Sequence, residues 1–354
     1  MKAPTSSLAR LRLLSQALLA SSLSSPVEAV RWMLALQAQD LPGALYSIGL
    51  RMPRPALSQV RAALDTGEVV RSWPMRGTLH LCAAEDLGWM LSLTGPRVIA
   101  SMASRNRQLG ISDADLGQVR DLALAAVTGG GASREELLAA FSAAGQPVEQ
   151  QRGIHLIGVL CMQGHLVQGP MRGAKQLFMA SQEWISQPRE LDREEALTEY
   201  VRRYFRSHGP ATVKDFCWWS KLPLRDARLG LAAVRQELAV LDVDSEERFL
   251  APETLELPPA SARSLLLLPG FDEFLLGYAD RSHTLAVEHA SRIVPGNNGM
   301  FMPTIVYGGR VVGTWRKPSS PKGRVELLPF EPLSPAVQRS AEIAAERYQR
   351  FLRG

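Results

Sequence analysis

Residues 56–82 have the sequence ALSQVRAALDTGEVVRSWPMRGTLHLC and carry the clearest indication of local structure. The first part predicts a helix, because Leu57, Val60 and Leu64 recur at the spacing of one helix face. The pieces VVRSW and TLHLC that follow are short and alternate in polarity, which predicts two strands. Helices followed by a two-stranded ribbon are typical of a winged-helix unit.

The same order of elements occurs twice more along the chain. Helices are predicted over residues 8–20, 26–38, 44–51 and 56–66 before the first ribbon, over 116–127, a segment after Ser133 and 151–163 before the second, and over 194–208, 212–220 and 226–238 before the third. Ser133 with Glu136 three residues later has the capping-box pattern that marks the start of a helix. The repetition rests on element order, since no sequence repeat accompanies it.

The C-terminal part has a different character. The run of leucines in residues 264–268 predicts a buried strand. The pieces TIVY and RVVGTW flank Gly308 and Gly309, a pair that predicts a two-residue hairpin turn. A further strand is predicted over residues 325–328 and a closing helix over 334–352.

These elements together predict an α+β chain that is mainly α. Three tandem winged-helix units are expected at residues 1–110, 111–190 and 191–258. A β-rich segment with a hairpin and a closing helix is expected at residues 259–354.

Charge is distributed unevenly. The chain has 40 basic and 35 acidic residues. Residues 1–110 carry 12 basic and 6 acidic side chains and residues 291–330 carry 6 and 1, whereas residues 111–290 carry 18 and 25. If the basic parts converge in space, they form a positive surface of the kind that binds nucleic acid. Chance variation of surface charge is the alternative, and composition leaves both open.

Cysteine usage and hydropathy predict a cytoplasmic protein. Cys82, Cys161 and Cys217 are widely spaced, so neither a disulfide framework nor a zinc module is indicated. A Leu/Ala-rich stretch follows Arg10 and Arg12, but Ser and Gln interrupt it, which favours an amphipathic helix over a signal peptide. No apolar run reaches the ~20 residues that cross a bilayer.

The candidate for chemistry is the segment Gln37-Ala38-Gln39-Asp40, which lies just before Pro42 and Gly43. In extended backbone, side chains two residues apart lie on the same side, so two carboxamides would face one cleft. A carboxamide both donates and accepts hydrogen bonds and can orient a water or a sugar. The alternative is that both glutamines only end the preceding helix.

Four segments, in order, resemble one known family. They are ALQAQDLPGALYSIGLR at residues 35–51, RSWPMRGTLHL at 71–81, LLPGFDEFLLGYADR at 267–281 and GMFMPTIVYGGRVVGTW at 299–315. Together they resemble the winged-helix DNA glycosylases of the AlkZ/AlkX type, over nearly the whole chain.

The resemblance implies which residues of this chain are catalytic. In that family a Gln-apolar-Gln motif carries catalysis, and it falls here on Gln37, Ala38 and Gln39. Ala38 is smaller than the usual middle residue, and Asp40 lies one position outside the motif. The second glutamine matches the AlkZ branch, which removes bulky alkylated purines and unhooks interstrand cross-links.

Other residues are candidates for binding DNA or the lesion. They are Asp40 next to the glutamine motif, Arg71, Arg76 and His80 on the first ribbon, Tyr307 and Arg310 at the hairpin tip, and Arg316 and Lys317 beyond it. The alternative for His80 is a purely structural role. The alternative for the hairpin is an ordinary connection that closes a sheet. The acids Asp272 and Glu273 either support the site or have a capping or buried hydrogen-bonding role.

The function expected from the resemblance is that of a monofunctional DNA glycosylase. It would hydrolyse the N-glycosidic bond of alkylated purines such as N7-alkylguanine and N3-alkyladenine, without a cofactor or a metal, and its partner would be double-stranded DNA. A monomer without membrane association is expected. The alternatives are a winged-helix transcription regulator without catalytic activity and a catalytically silent family member.

Overall fold

The computed structural model describes residues 5–258, 263–318 and 323–354. Helices make up 51% and strands 17% of the chain, so the prediction of a mixed, mainly α fold is confirmed. No helix among the described residues is both long and apolar enough to span a bilayer.

The elements follow the chain in this order. The first part contains α1 (Thr5–Ser15), α2 (Pro26–Met33), β1 (Leu36–Gln37), α3 (Leu41–Leu50), α4 (Leu57–Asp65), β2 (Val69–Met75), β3 (Thr78–Ala83), α5 (Ala84–Ser101), α6 (Ala103–Gln108), α7 (Asp113–Val127), α8 (Arg134–Ala143), α9 (Arg152–Met162), β4 (Leu166–Arg172), β5 (Lys175–Ala180) and α10 (Ser181–Trp184). The second part contains α11 (Arg193–His208), α12 (Val213–Ser220), α13 (Leu224–Val234), β6 (Ala239–Val243), β7 (Glu246–Leu250), α14 (Glu253–Glu256), β8 (Leu265–Leu268), α15 (Glu273–Leu276), α16 (Ala290–Ile293), β9 (Thr304–Tyr307), β10 (Arg310–Arg316), β11 (Glu326–Pro329) and α17 (Pro335–Arg353).

The chain forms two compact units. The outer unit consists of Met1–Val60 and Leu197–Gly354, and the inner unit of Arg61–Ala196. The four segments expected from the sequence, with boundaries near residues 110, 190 and 258, stay a prediction.

The inner unit joins two hairpins into one antiparallel sheet. Strand β2 pairs with β3 and with β4, and β4 pairs with β5. Helices α7, α8 and α9 pack together through buried apolar side chains that include Phe141 and Leu156. The capping box of Ser133 and Glu136 is present as predicted.

Helix α5 was not predicted from the sequence. Its 18 residues include Pro96, and glycines stand at positions 88 and 95, which are residues that ordinarily break helices. Packing explains Gly95, because a Cβ there would lie 2.8 Å from the carbonyl oxygen of Met162 in α9. The close approach of the two helices needs the glycine.

The outer unit contains a four-stranded antiparallel sheet in the order β11-β10-β9-β8. Gly308 and Gly309 form the predicted turn between β9 and β10, with φ of 57° and 88°. Buried apolar residues of β8, α15 and α1, among them Leu268, Phe274 and Leu13, form the core. The strand predicted at residues 264–268 is therefore confirmed.

Candidate active site

The glutamine segment lies in extended backbone between α2 and α3. The sequence predicted a helix up to residue 38, but α2 ends at Met33. Leu34 has a φ of 65°, which lies outside the right-handed helical region and therefore ends the helix. Gln37 then lies in the short strand β1, and Asp40 occupies the position just before α3. The extended alternative for the segment is therefore the one observed.

Burial alternates along this segment. Ala38 is fully buried, whereas Gln37 is partly exposed and Gln39 is exposed. In extended backbone this places the two glutamines on the accessible side and Ala38 on the core side. Full burial is consistent with an apolar residue at position 38.

The buried carboxylate of Glu273 holds the backbone of this segment. Its Oε1 accepts a hydrogen bond from the backbone N–H of Gln37 at 3.1 Å. Its Oε2 accepts one from Nε1 of Trp219 at 2.8 Å, and Nε2 of His208 lies 3.7 Å from the same oxygen. Glu273 is 0% exposed, so these hydrogen bonds lie in an interior where polar contacts are stronger than in water.

Asp272, the preceding residue, anchors the start of α15 to α3. It caps α15 by accepting a hydrogen bond from the backbone N–H of Phe274, and it accepts one from Ser47 at 2.6 Å. Arg51 pairs with both carboxylate oxygens, at 3.0 and 3.2 Å. The predicted capping role of Asp272 is thus observed, together with a buried ion pair.

Gln16 connects the two acidic residues. Its Oε1 accepts a hydrogen bond from Arg51 at 3.0 Å, and its Nε2 donates to the carbonyl oxygen of Glu273 at 3.2 Å. The ends of α1 and α3 and the start of α15 are therefore joined in one hydrogen-bond network below the glutamine segment.

Aromatic residues enclose the other side of Glu273. The ring of His208 stacks on Tyr204, with centroids 4.7 Å apart and an interplanar angle of 11°. The hydroxyl of Tyr278 donates to the backbone carbonyl of His208 at 2.8 Å. Burial raises the pKa of Tyr204 and of Tyr278, so both phenols stay protonated and act as hydrogen-bond donors.

Asp40 lies at the accessible end of the site. A Cβ at Gly43 would lie 2.8 Å from Oδ2 of Asp40, so the glycine leaves the space in which this carboxylate lies. Its negative charge adds to burial in raising the pKa of Tyr348.

The site thus presents two carboxamides and one carboxylate on a short extended segment held from below. A profile described as "DNA glycosylase AlkZ-like" matches residues 30–351. The chain belongs to the AlkZ-like DNA glycosylase family. The resemblance seen in the sequence is thereby confirmed, and family membership supports a DNA glycosylase rather than a transcription regulator.

Two proteins of this family are similar over most of the chain. The interstrand DNA cross-link repair glycosylase of Streptomyces sahachiroi is 28% identical over 307 residues, 82% of either chain. The solved structure of Streptomyces sahachiroi DNA glycosylase AlkZ matches with a TM-score of 0.82 and 26% identity, over 99% of this chain and 97% of that chain.

The residues predicted on the first ribbon belong to the inner unit of this AlkZ-like chain. Arg71 donates to the side-chain oxygens of Gln168 and Gln176, both at 2.9 Å. Arg76 lies 2.9 Å from Nε2 of the buried His80.

The other ring nitrogen of His80 has a contact as well. Its Nδ1 lies 2.8 Å from the carbonyl oxygen of Thr78. A neutral ring with its proton on Nδ1 satisfies both contacts, because Nε2 then accepts from Arg76. This geometry favours the structural alternative for His80.

The hairpin tip packs against the protein. A Cβ at Gly309 would lie 2.9 Å from Cβ of Ala9 in α1. Arg310 donates to the carbonyl oxygen of His283 at 3.2 Å, and Tyr307 is half-buried. These contacts favour a hairpin that closes the sheet.

The two basic residues after the hairpin are exposed. Arg316 pairs with Glu326 at 3.3 Å, and Lys317 follows it at the end of β10. Both are accessible to a polyanion.

Sequence reasoning missed Arg51, Gln16 and Trp219 as parts of the site. One signal was present: Arg51 immediately follows the apolar helix α3, where a charge needs a partner when buried. The identity of that partner, 221 residues further along, has no local signature.

Proposed function

We propose that this chain is a monofunctional glycosylase that hydrolyses the N-glycosidic bond of alkylated purines in double-stranded DNA. N7-alkylguanine and N3-alkyladenine are the expected lesions, with bulky adducts and interstrand cross-links among them. The observation that carries the proposal is the exposed Gln39 beside Gln37 in extended backbone, with Ala38 buried between them. The name of the cross-link repair relative supports the lesion class.

The proposed chemistry uses carboxamides because the leaving group needs little help. Alkylation at N7 gives the purine a positive charge, so the base leaves as a neutral molecule. The remaining barrier is formation of an oxocarbenium-like sugar and delivery of water to C1′. Gln37 and Gln39 hold this water and contact the sugar, since an amide accepts from the water and donates to an oxygen.

A lyase mechanism is not proposed. The six lysines of the chain are at positions 2, 175, 214, 221, 317 and 322, remote in sequence from the glutamine segment. A Schiff base needs an amine at the site. The proposed product is therefore an abasic site with an intact strand.

Asp40, Arg71, Arg76, Tyr307, Arg310, Arg316 and Lys317 stay proposed contacts to DNA or the lesion, and His80 is retained with them. Arg316 and Lys317 have the best support, because both are exposed. Action as a monomer in the cytoplasm is part of the same proposal.

The test is a duplex with one N7-methylguanine, incubated with the protein and then treated to cleave abasic sites. Strand cleavage is expected with the wild type and not with Gln39→Ala, while Gln39→Ala keeps its affinity for the duplex. Unchanged excision by Gln39→Ala would contradict the assignment of the motif. If neither protein releases simple or bulky adducts, the glycosylase proposal fails and a DNA-binding regulator is favoured.

A further inference from the structure

The outer unit contains a cavity of about 610 Å³ to which none of the proposed catalytic residues contributes. Its walls come from the end of the loop after α1, the last turn of α3, strand β8 and the second half of α17. Leu50, Leu266 and Ala344 are among the apolar residues that line it. Its volume lies within the ~300–1,000 Å³ of pockets that enclose small molecules.

Two aromatic residues, Tyr46 and Phe351, line the cavity. The ring of Tyr46 lies 5.3 Å from that of Phe351 and 4.7 Å from that of Tyr348. A Cβ at Gly49 would lie 2.6 Å from Cε2 of Phe351, so the glycine lets α3 approach α17. The rings are thus fixed by packing and form a rigid apolar base beneath the more accessible leucine side chains of the cavity.

Three arginines line the same cavity. Arg54 comes from the loop after α3, and Arg347 and Arg350 come from α17. All three are exposed, and none makes a side-chain hydrogen bond or ion pair to a described residue. Positive charges gathered around an apolar cavity attract an anion, and guanidinium groups bind carboxylate, sulfonate or phosphate through paired hydrogen bonds.

We propose that this cavity binds a small organic anion with a flat apolar body. The apolar body lies against Leu19, Leu50 and Leu266, and the anionic group pairs with Arg347 and Arg350. A phosphate of the DNA backbone fits less well, because it pairs with the arginines but leaves the apolar walls uncovered. The site is independent of the proposed glycosylase reaction.

The probe for this site is 8-anilinonaphthalene-1-sulfonate, an aromatic anion whose fluorescence rises in apolar surroundings. Titration into the full chain is expected to show one saturable site. The double variant Arg347→Ala/Arg350→Ala is expected to weaken binding roughly tenfold or more, as the loss of charge-assisted bonds requires. Arg339→Ala, an exposed position on α17 outside the cavity, is the matched control and leaves the affinity within about twofold.

Filling the cavity tests its location. Ala344→Trp and, separately, Leu50→Trp are each expected to abolish saturable binding, with thermal melting to confirm that the variant is folded. The uncharged analogue N-phenyl-1-naphthylamine is expected to bind the wild type more weakly than the sulfonate.

Three results would overturn the proposal. They are unchanged binding by the double arginine variant, saturable binding by both folded tryptophan variants, and displacement of the probe by an undamaged DNA duplex. Displacement by the duplex would assign the arginines to phosphate contacts instead.

Discussion

Oε1 of Glu273 accepts a hydrogen bond from the backbone N–H of Gln37 at 3.1 Å, across 236 residues of sequence. The carboxylate is completely buried, and its other oxygen is bound by Trp219. Both contacts use lone pairs of the carboxyl oxygens. The glutamine segment is therefore held through its backbone at Gln37 by a carboxylate from a distant part of the chain.

Glu273→Gln is expected to slow excision with little change in DNA affinity. An amide has one oxygen, so it cannot accept from both Gln37 and Trp219, and its NH₂ group faces a donor. A backbone displaced by a fraction of an ångström should lower the single-turnover rate by roughly ten- to a hundredfold. The rate at saturating enzyme, the duplex dissociation constant and the melting temperature measure this.

Trp219→Phe is the matched control for Glu273→Gln. This substitution removes the hydrogen-bond donor to Oε2 of Glu273 and leaves the bond from Gln37 to Oε1 in place. We therefore expect it to lower stability without a comparable loss of excision rate. Equal rate losses in both variants would show that Glu273 acts only through general stability.

The buried ion pair of Asp272 and Arg51 is expected to contribute to the stability of the fold rather than to catalysis. Asp272→Asn leaves the guanidinium of Arg51 buried without its counter-charge, which typically costs about 3–5 kcal/mol. Arg316→Ala breaks an exposed pair with Glu326 and should cost no more than about 1 kcal/mol. Urea unfolding of the two variants measures the difference, and similar midpoints would contradict it.

Much of the fold follows from local patterns. Gly308 and Gly309 predict the hairpin because only positive φ closes that turn, and Ser133 with Glu136 predicts the start of α8. Helix α5 was not predicted because Gly95 and Pro96 have low helix propensity. The helix forms because its packing against α9 outweighs that local preference.

The candidate site likewise contains residues that the sequence identifies and contacts that it does not. Gln37 and Gln39 are identified by their alternation and by resemblance, and the structure places both on the accessible side of Ala38. Glu273 is visible in the sequence only as one of two adjacent acids. Its contact with Gln37 depends on how β8 and α15 pack against the N-terminal helices, which no local pattern specifies.

The rate of excision of N7-methylguanine is expected to vary less than about twofold between pH 6 and pH 9. Carboxamides do not titrate, and the cationic base needs no general acid. Burial raises the pKa of Tyr204 and of Tyr278 beside Glu273, so these phenols stay neutral throughout this range. Single-turnover rates at saturating enzyme provide the profile, and a tenfold change per pH unit would indicate a titrating catalytic group instead.

Binding of undamaged duplex is expected to depend steeply on salt, with part of that dependence due to Arg316 and Lys317. Each alanine substitution should reduce the slope of log K against log salt by about 1 if the side chain contacts a phosphate. Glu326→Ala provides a control of opposite sign, because it removes the acid that lies 3.3 Å from Arg316 and should strengthen binding. Fluorescence anisotropy at several salt concentrations measures all three variants. Unchanged slopes for Arg316→Ala and Lys317→Ala would place the DNA away from the end of β10.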